Sequence, residues 1–88
     1  MVRIIAKVPT VHQLQSIAAM SRGTYWSYPD GSFVWLQEFN DEGSAKSHLI
    51  NLAYILAEDG IEFSNMQDDI INYGQLTYDA CTARIENF

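Results

Sequence analysis

The first residues of the chain alternate between apolar and mixed positions. Within the segment 3–8, Ile4, Ala6 and Val8 fall on one side, while the other side carries two basic residues. A two-residue period predicts a half-buried β-strand. Pro9 is expected to end this strand, because proline cannot donate a ladder hydrogen bond.

The period then changes to that of a helix. Apolar residues recur at helical spacing at Val11, Leu14, Ile17 and Ala18. Thr10 and Gln13 have the spacing of a capping box, in which each side chain satisfies a backbone donor at the start of a helix. Gly23 is expected to be the left-handed residue that ends the helix.

The following segment, residues 23–39, concentrates aromatic side chains around one turn. It holds six of the chain's eleven aromatic residues, namely Tyr25, Trp26, Tyr28, Phe33, Trp35 and Phe39. Pro29-Asp30-Gly31 between them fits a type I turn closed by a glycine bulge. We therefore predict an antiparallel β-hairpin and call residues 23–39 the aromatic segment.

Both faces of the second strand of this hairpin are apolar. One face carries Phe33, Trp35, Gln37 and Phe39, and the other carries Val34, Leu36 and Glu38. If helices cover one face only, large side chains remain on a surface, where Trp and Tyr often anchor partners. We predict that Tyr25, Trp26, Tyr28 and Trp35 contact a partner. The alternative is that cross-strand aromatic pairs only stabilise the sheet.

Two more helices are predicted after the hairpin. Asn40 and Asp41 are good N-cap residues for a helix that runs to Asp59, with an inner stripe at Ala45, Leu49, Leu52, Ala53 and Leu56. Gly60 is expected to terminate it. Ser64 and Gln67 then repeat the capping-box spacing and predict a short helix that ends at Gly74.

The segment from Leu76 to Phe88 fits two structures. A strand would place Leu76, Tyr78 and Ala80 on one face and Cys81, Ala83 and Ile85 on the other. A helix would align Tyr78, Cys81, Ile85 and Phe88. The helical stripe is the cleaner pattern, and we favour it.

The elements together predict one α+β domain over residues 1–88. Its small sheet contains the antiparallel aromatic hairpin, and its helices pack on one face. The element order is β-α-β-β-α-α, followed by a C-terminal helix or strand. The alternative fold is a ferredoxin-like dimeric α+β barrel.

Charge narrows the classes of partner. The net charge is −6, and residues 58–79 carry six carboxylates and no basic residue, at Glu58, Asp59, Glu62, Asp68, Asp69 and Asp79. The five basic residues are scattered along the sequence, at Arg3, Lys7, Arg22, Lys46 and Arg84. Because affinity for nucleic acids comes largely from cations, direct nucleic-acid binding and docking on anionic membranes are disfavoured. The acidic stretch either steers a basic partner or only maintains solubility.

No motif for catalysis, metals or cofactors stands out. His12 and His48 lack a second ligand at metal spacing, and Cys81 has no identified base. We expect no cofactor and no metal. Because there is a single cysteine, no secretory signal and no membrane-length apolar run, we expect a cytoplasmic location.

One stretch resembles a known family. The run from Ser32 to Leu49, which includes Trp35-Leu-Gln-Glu-Phe39 and His48-Leu49, is similar to the strand-to-helix passage of antibiotic-biosynthesis-monooxygenase-like dimeric α+β barrels. The resemblance covers about a fifth of the chain. It implies a homodimer that is either a cofactor-independent oxygenase or a catalytically silent relative of such enzymes, with His48 near the pocket.

Two functional hypotheses follow. We favour a non-enzymatic, acidic protein–protein interaction module, such as a phage or mobile-element inhibitor that occupies a basic site on host machinery. It would use the four aromatic residues together with Glu58, Asp59, Glu62, Asp68 and Asp69. The alternative is a homodimeric barrel protein like the family above. A C-terminal helix would favour the first hypothesis, and a C-terminal strand would favour the second.

Overall fold

The computed structural model describes residues 1–57 and 60–88. Across these residues it has five strands and three helices. In chain order they are β1 (Val2–Val8), α1 (Val11–Ala18), β2 (Thr24–Ser27), β3 (Phe33–Phe39), α2 (Glu42–Leu56), α3 (Gly60–Tyr73), β4 (Gln75–Tyr78) and β5 (Cys81–Asn87). The predicted α+β class is therefore confirmed.

All five strands form one antiparallel sheet in the order β2-β3-β1-β5-β4. The central strand is β1, in which Ile4 lies opposite Gln37 of β3 on one side and Ile85 of β5 on the other. The two edges of the sheet are β2 and β4. This order decides which side chains of distant sequence segments meet.

The helices cover one face of the sheet. On β1 that face is formed by the alternating residues Val2, Ile4, Ala6 and Val8, all of which are buried. The α2 stripe buries Ala45, Leu49, Leu52 and Ala53 in the same core. The apolar residues that recur every two positions along β1 and about every 3.6 positions along α2 thus pack together in one core.

The N-terminal caps of two helices agree with the sequence patterns. The Thr10 hydroxyl accepts a hydrogen bond from the Gln13 N–H at 3.2 Å. The Asp41 carboxylate accepts one from the Ser44 N–H at 2.7 Å. Each bond satisfies a backbone donor that the helix itself leaves unpaired.

Three predicted helix boundaries are wrong. The helix α2 ends at Leu56, before the predicted end at Asp59, and residues 58 and 59 lie outside the described residues. Gly60 begins α3, so it does not terminate α2. Ser64 lies inside α3 and its hydroxyl donates to the Gly60 carbonyl at 2.9 Å, which is the local bond of a mid-helix serine.

The predicted C-terminal helix is also wrong, because residues 75–87 form the strands β4 and β5. A two-residue turn joins them, with Asp79 and Ala80 both at positive φ. Because of this turn, the side chains that face the helices belong to even-numbered residues in β4 and to odd-numbered residues in β5. Leu76 pairs with Ala83 and Tyr78 with Cys81, so side chains on both sides of the turn share the covered face. Read as one strand, the same residues fall on opposite faces.

Gly23 has a different role from the predicted helix terminator. The helix α1 ends at Ala18, and the glycines at positive φ are Gly31 and Gly74. A Cβ at position 23 would lie 2.3 Å from the Leu36 carbonyl oxygen and 2.4 Å from Trp35 Nε1. Glycine is needed here because the backbone passes directly over the Trp35 indole.

Candidate functional site

The aromatic segment forms the strands β2 and β3 and the turn between them. Gly31, at φ +87°, donates to the Tyr28 carbonyl at 3.0 Å, and the Tyr28 N–H donates to the Ser32 carbonyl at 2.8 Å. This pattern fits a type I turn with a glycine bulge. The Asp30 carboxylate accepts from the Ser32 hydroxyl and N–H, and these bonds hold the pKa of Asp30 below its usual value.

The four aromatic residues predicted to contact a partner do not lie together. Trp35 is only 1% exposed and belongs to the core, so its inclusion in the partner surface is corrected. Trp35 faces the helices because it pairs with the inward-facing Ala6 of β1. Tyr25 is 58% exposed, and Trp26 and Tyr28 are each 44% exposed. These three side chains are therefore exposed enough to contact a partner.

His48 lies on α2 against the buried indole. Its ring stacks on Trp35 at a centroid distance of 6.0 Å and contacts Phe39 at 5.3 Å. The imidazole Nε2 is 2.8 Å from the Ser21 hydroxyl, a contact that no sequence pattern indicated. Burial lowers the pKa of His48, so the neutral imidazole is favoured.

The Ser21–His48 contact alone does not make a catalytic site. A nucleophile–base pair also needs a group that orients the base and a place for the substrate. Grooves of about 540, 480, 430 and 280 Å³ lie on the described surface, and neither Ser21 nor His48 lines any of these. The pair therefore attaches the segment before β2 to α2.

Two further reactive side chains, Cys81 and His12, lie in contrasting surroundings. Cys81 is buried, and burial raises the pKa of its thiol to about 11, so the thiol stays protonated at neutral pH. His12 is exposed on α1. Within residues 1–57 and 60–88, no three His, Cys, Asp or Glu side chains are arranged as metal ligands.

Carboxylates from two elements meet in a groove of about 480 Å³. Glu62 and Asp69 of α3 line it together with Asp79 of the β4–β5 turn, and no Lys, Arg or His is among its described lining residues. We call this feature the acidic groove. Asp68 is exposed beside it, about 100° around the helix from Asp69. Two further predicted site residues, Glu58 and Asp59, lie outside the described residues.

The acidic groove and the exposed aromatic rings belong to opposite sides of the molecule. The helix α3 packs against β4, which is one edge of the sheet, whereas Tyr25 and Trp26 lie on β2 at the other edge. Five strands at a spacing of about 4.8 Å separate the two edge strands by roughly 19 Å. The predicted partner residues therefore form two surfaces.

The sheet face opposite the helices combines an apolar patch with basic side chains. We call it the open face. Strand alternation and register place on it Ile5, Trp26, Val34 and Leu36, and also Arg3, Lys7 and Arg84. Three of the five basic residues thus share one face, although they are scattered in sequence. The pairing of β1 with β5 brings them together.

Glu86 partly neutralises the open face. The Arg3 Nε donates to its carboxylate at 2.6 Å, and Arg84 Nη2 lies 3.2 Å from it. The hydrogen bond from Arg3 lowers the pKa of Glu86. The acidic groove adjoins the open face at the β4 edge, because Thr77 lines both the acidic groove and a groove that Lys7 and Arg84 line.

No family model, curated protein or solved structure matches the chain. The resemblance of residues 32–49 to the dimeric monooxygenases stays a prediction. No helix within the described ranges is both long and apolar enough to cross a membrane.

Proposed function

We propose that the protein is a non-enzymatic, acidic interaction module that binds a partner protein with a basic surface. The observation that supports this most is the acidic groove. Glu62 and Asp69 are about two turns apart on one face of α3, and the packing of the β4–β5 turn adds Asp79.

The charge distribution gives the molecule a preferred orientation toward such a partner. Arg3, Lys7 and Arg84 lie on the open face. The Lys46 ammonium on α2 donates a hydrogen bond to the Ile71 carbonyl at 3.0 Å and forms an ion pair with the Glu42 carboxylate at 3.5 Å. A basic partner approaching the α3 side meets carboxylates first. Complementary potentials of this kind increase association rates and select the docking face.

A nucleic-acid-binding site on another protein is a basic surface of the required kind. Such sites carry clustered Lys and Arg because they neutralise phosphates. An acidic module that occupies one would compete with the nucleic acid. This is how a phage or mobile-element inhibitor of host machinery would act, and a cytoplasmic location would suit it.

The experiment is a pull-down from host lysate at two salt concentrations. The wild-type protein is compared with Asp69→Lys, which reverses one charge in the acidic groove, and with the double variant Asp68→Lys/Asp69→Lys. We expect a specific partner that is retained at low salt and lost at high salt, since exposed charges are screened within about 10 Å at 0.1 M salt. Both variants should lose it.

Glu38→Lys is the matched control. Glu38 is an exposed carboxylate on the open face, so its reversal changes the net charge as Asp69→Lys does. We expect Glu38→Lys to retain the partner. Recovery of no specific protein at either salt concentration, or equal loss in both single variants, would reject the proposal.

A second candidate is the homodimeric α+β barrel. It is favoured by the finding that residues 75–87 form strands, and by the apolar patch of Ile5, Trp26 and Leu36 on the open face. Two copies packed through their open faces would bury this patch. A charge at its centre, as in Leu36→Lys, is expected to disperse such a dimer.

A further inference from the structure

The edge strand β2 is only four residues long, but it has no charged residue and no proline that would prevent pairing with another strand. All four of its residues, Thr24–Ser27, are exposed, and none is charged or a proline. Natural sheets protect their edges with charges, prolines, bulges or covering elements. The other edge strand, β4, is also four residues long and uncharged, and α3 packs against it. The strand β2 differs from β4 in that no helix of the described residues contacts it.

The hydrogen bonds at the turn show which backbone groups of β2 point outward. Tyr28 donates to the Ser32 carbonyl, and hydrogen-bonded pairs alternate with non-hydrogen-bonded pairs along an antiparallel ladder. The register then makes Trp26 and Thr24 the residues that bond to β3. The N–H and C=O groups of Tyr25 and Ser27 point away from the sheet.

We propose that β2 pairs with β2 of a second copy of this chain, which joins the two sheets into one. A two-fold axis perpendicular to the sheet keeps the helices of both copies on the same side. Two residues that lie opposite each other across the two copies must then project their side chains from the same face, so their numbers are both even or both odd. In the register that places Trp26 opposite Trp26 of the second copy, Tyr25 of each copy lies opposite Ser27 of the other copy. All outward groups of Tyr25 and Ser27 are then bonded.

Side chains and charges fit a second copy of the chain. Trp26 lies on the open face and would meet its symmetry mate in a non-hydrogen-bonded pair, where side chains approach most closely. Tyr25, on the other face, would be covered beside Ser27 of the second copy. An uncharged strand also allows two copies of net charge −6 to approach.

The proposed interface is small. It contains one strand from each copy, which is below the roughly 800 Å² per partner of a standard stable interface. We therefore expect a weak dimer that forms between about 10 μM and about 1 mM. The inference does not depend on the acidic groove or on any basic partner, and each can fail without the other.

Sedimentation equilibrium over this concentration range tests the dimer. Ser27→Pro removes one outward N–H but no bond to β3, and proline is tolerated at such edge positions. We expect the wild type to dimerise and Ser27→Pro to stay monomeric at every concentration. Leu36→Lys, which charges the open face but not the edge, should dimerise like the wild type.

Amide hydrogen exchange of the wild type gives a second measurement that does not depend on folding of the proline variant. Protection of the Tyr25 and Ser27 amides should rise with protein concentration, while protection of Thr24 and Trp26 should stay constant because those amides bond to β3. A wild type that remains monomeric at about 1 mM would overturn the proposal. So would a dimer that Leu36→Lys abolishes and Ser27→Pro preserves.

Discussion

At the scale of single residues, the fold depends on the close contact between Gly23 and the Trp35 indole. A Cβ at position 23 would lie 2.3 Å from the Leu36 carbonyl oxygen, a backbone atom that cannot move without shifting β3. We therefore expect Gly23→Ala to lower the free energy of unfolding by about 1–3 kcal/mol, the usual cost of overpacking. Urea denaturation measures this change.

Gly60→Ala is the matched control for this substitution. Gly60 begins α3, and a Cβ there would meet no atom within 4 Å. Alanine also restricts the unfolded chain, so we expect no loss and a gain of up to about 1 kcal/mol. An unfolding free energy that is equally reduced in both variants would show that the close contact at Gly23 is not the cause.

His48 makes stability depend on pH. Burial lowers its pKa below the usual value of 6.5, so the unfolded chain takes up the proton before the folded chain does. This contribution is complete above the unfolded pKa and is lost as the pH falls through 6.5 toward the folded pKa. We expect wild-type stability to decrease between about pH 7.5 and about pH 5.5, as measured by urea denaturation.

Two variants separate His48 from other titrating groups. His48→Gln should make the unfolding free energy less dependent on pH in this range, because the described neighbours of the ring, Ser21, Trp35 and Phe39, do not titrate there. His12→Gln, which removes a histidine from an exposed position, is the matched control. If the unfolding free energies of His48→Gln and of the wild type depend on pH in the same way, burial of His48 is not the cause of the pH dependence.

At the scale of elements, the β4–β5 turn is strained. Ala80 adopts φ +67°, a left-handed conformation that costs an L-residue other than glycine roughly 1–2 kcal/mol. Ala80→Gly should raise the free energy of unfolding by about 1 kcal/mol, after the greater flexibility of glycine in the unfolded chain is subtracted. Thermal and urea unfolding both measure this gain.

An alanine at negative φ provides the comparison for this substitution. Ala19 has φ −63° at the end of α1, so Ala19→Gly relieves no strain and should lower stability. A loss of stability in Ala80→Gly similar to that in Ala19→Gly would contradict the assigned turn geometry.

The same turn explains why the C-terminal strands could not be predicted from the sequence. Two-residue hairpin turns are usually recognised by Asn-Gly or Asp-Gly, and here the pair is Asp79-Ala80. By contrast, Pro29-Asp30-Gly31 indicated the first hairpin, and the alternation of residues 3–8 indicated β1. Local patterns sufficed for these elements, whereas β5 depends on pairing with β1 across the whole chain, and β4 depends on pairing with β5.

At the scale of the whole molecule, topology decides which predicted site residues lie together. Composition identified the acidic stretch, but the strand order places Asp79 beside Glu62 and Asp69 and sends Tyr25 and Trp26 to the opposite edge. The basic patch on the open face was not predicted, because Arg3 and Arg84 are neighbours only through the β1–β5 pairing. Sequence therefore predicted the kinds of surface but not their positions.

The central claim is that the protein acts by presenting the acidic groove to a basic partner. Its most direct test is the affinity for the recovered partner, measured against salt concentration for the wild type, Asp69→Lys and Glu38→Lys. We predict that salt weakens binding, that Asp69→Lys weakens it about tenfold (about 1.4 kcal/mol) and that Glu38→Lys leaves it unchanged. An affinity that is independent of salt, or that both variants reduce equally, would contradict the claim.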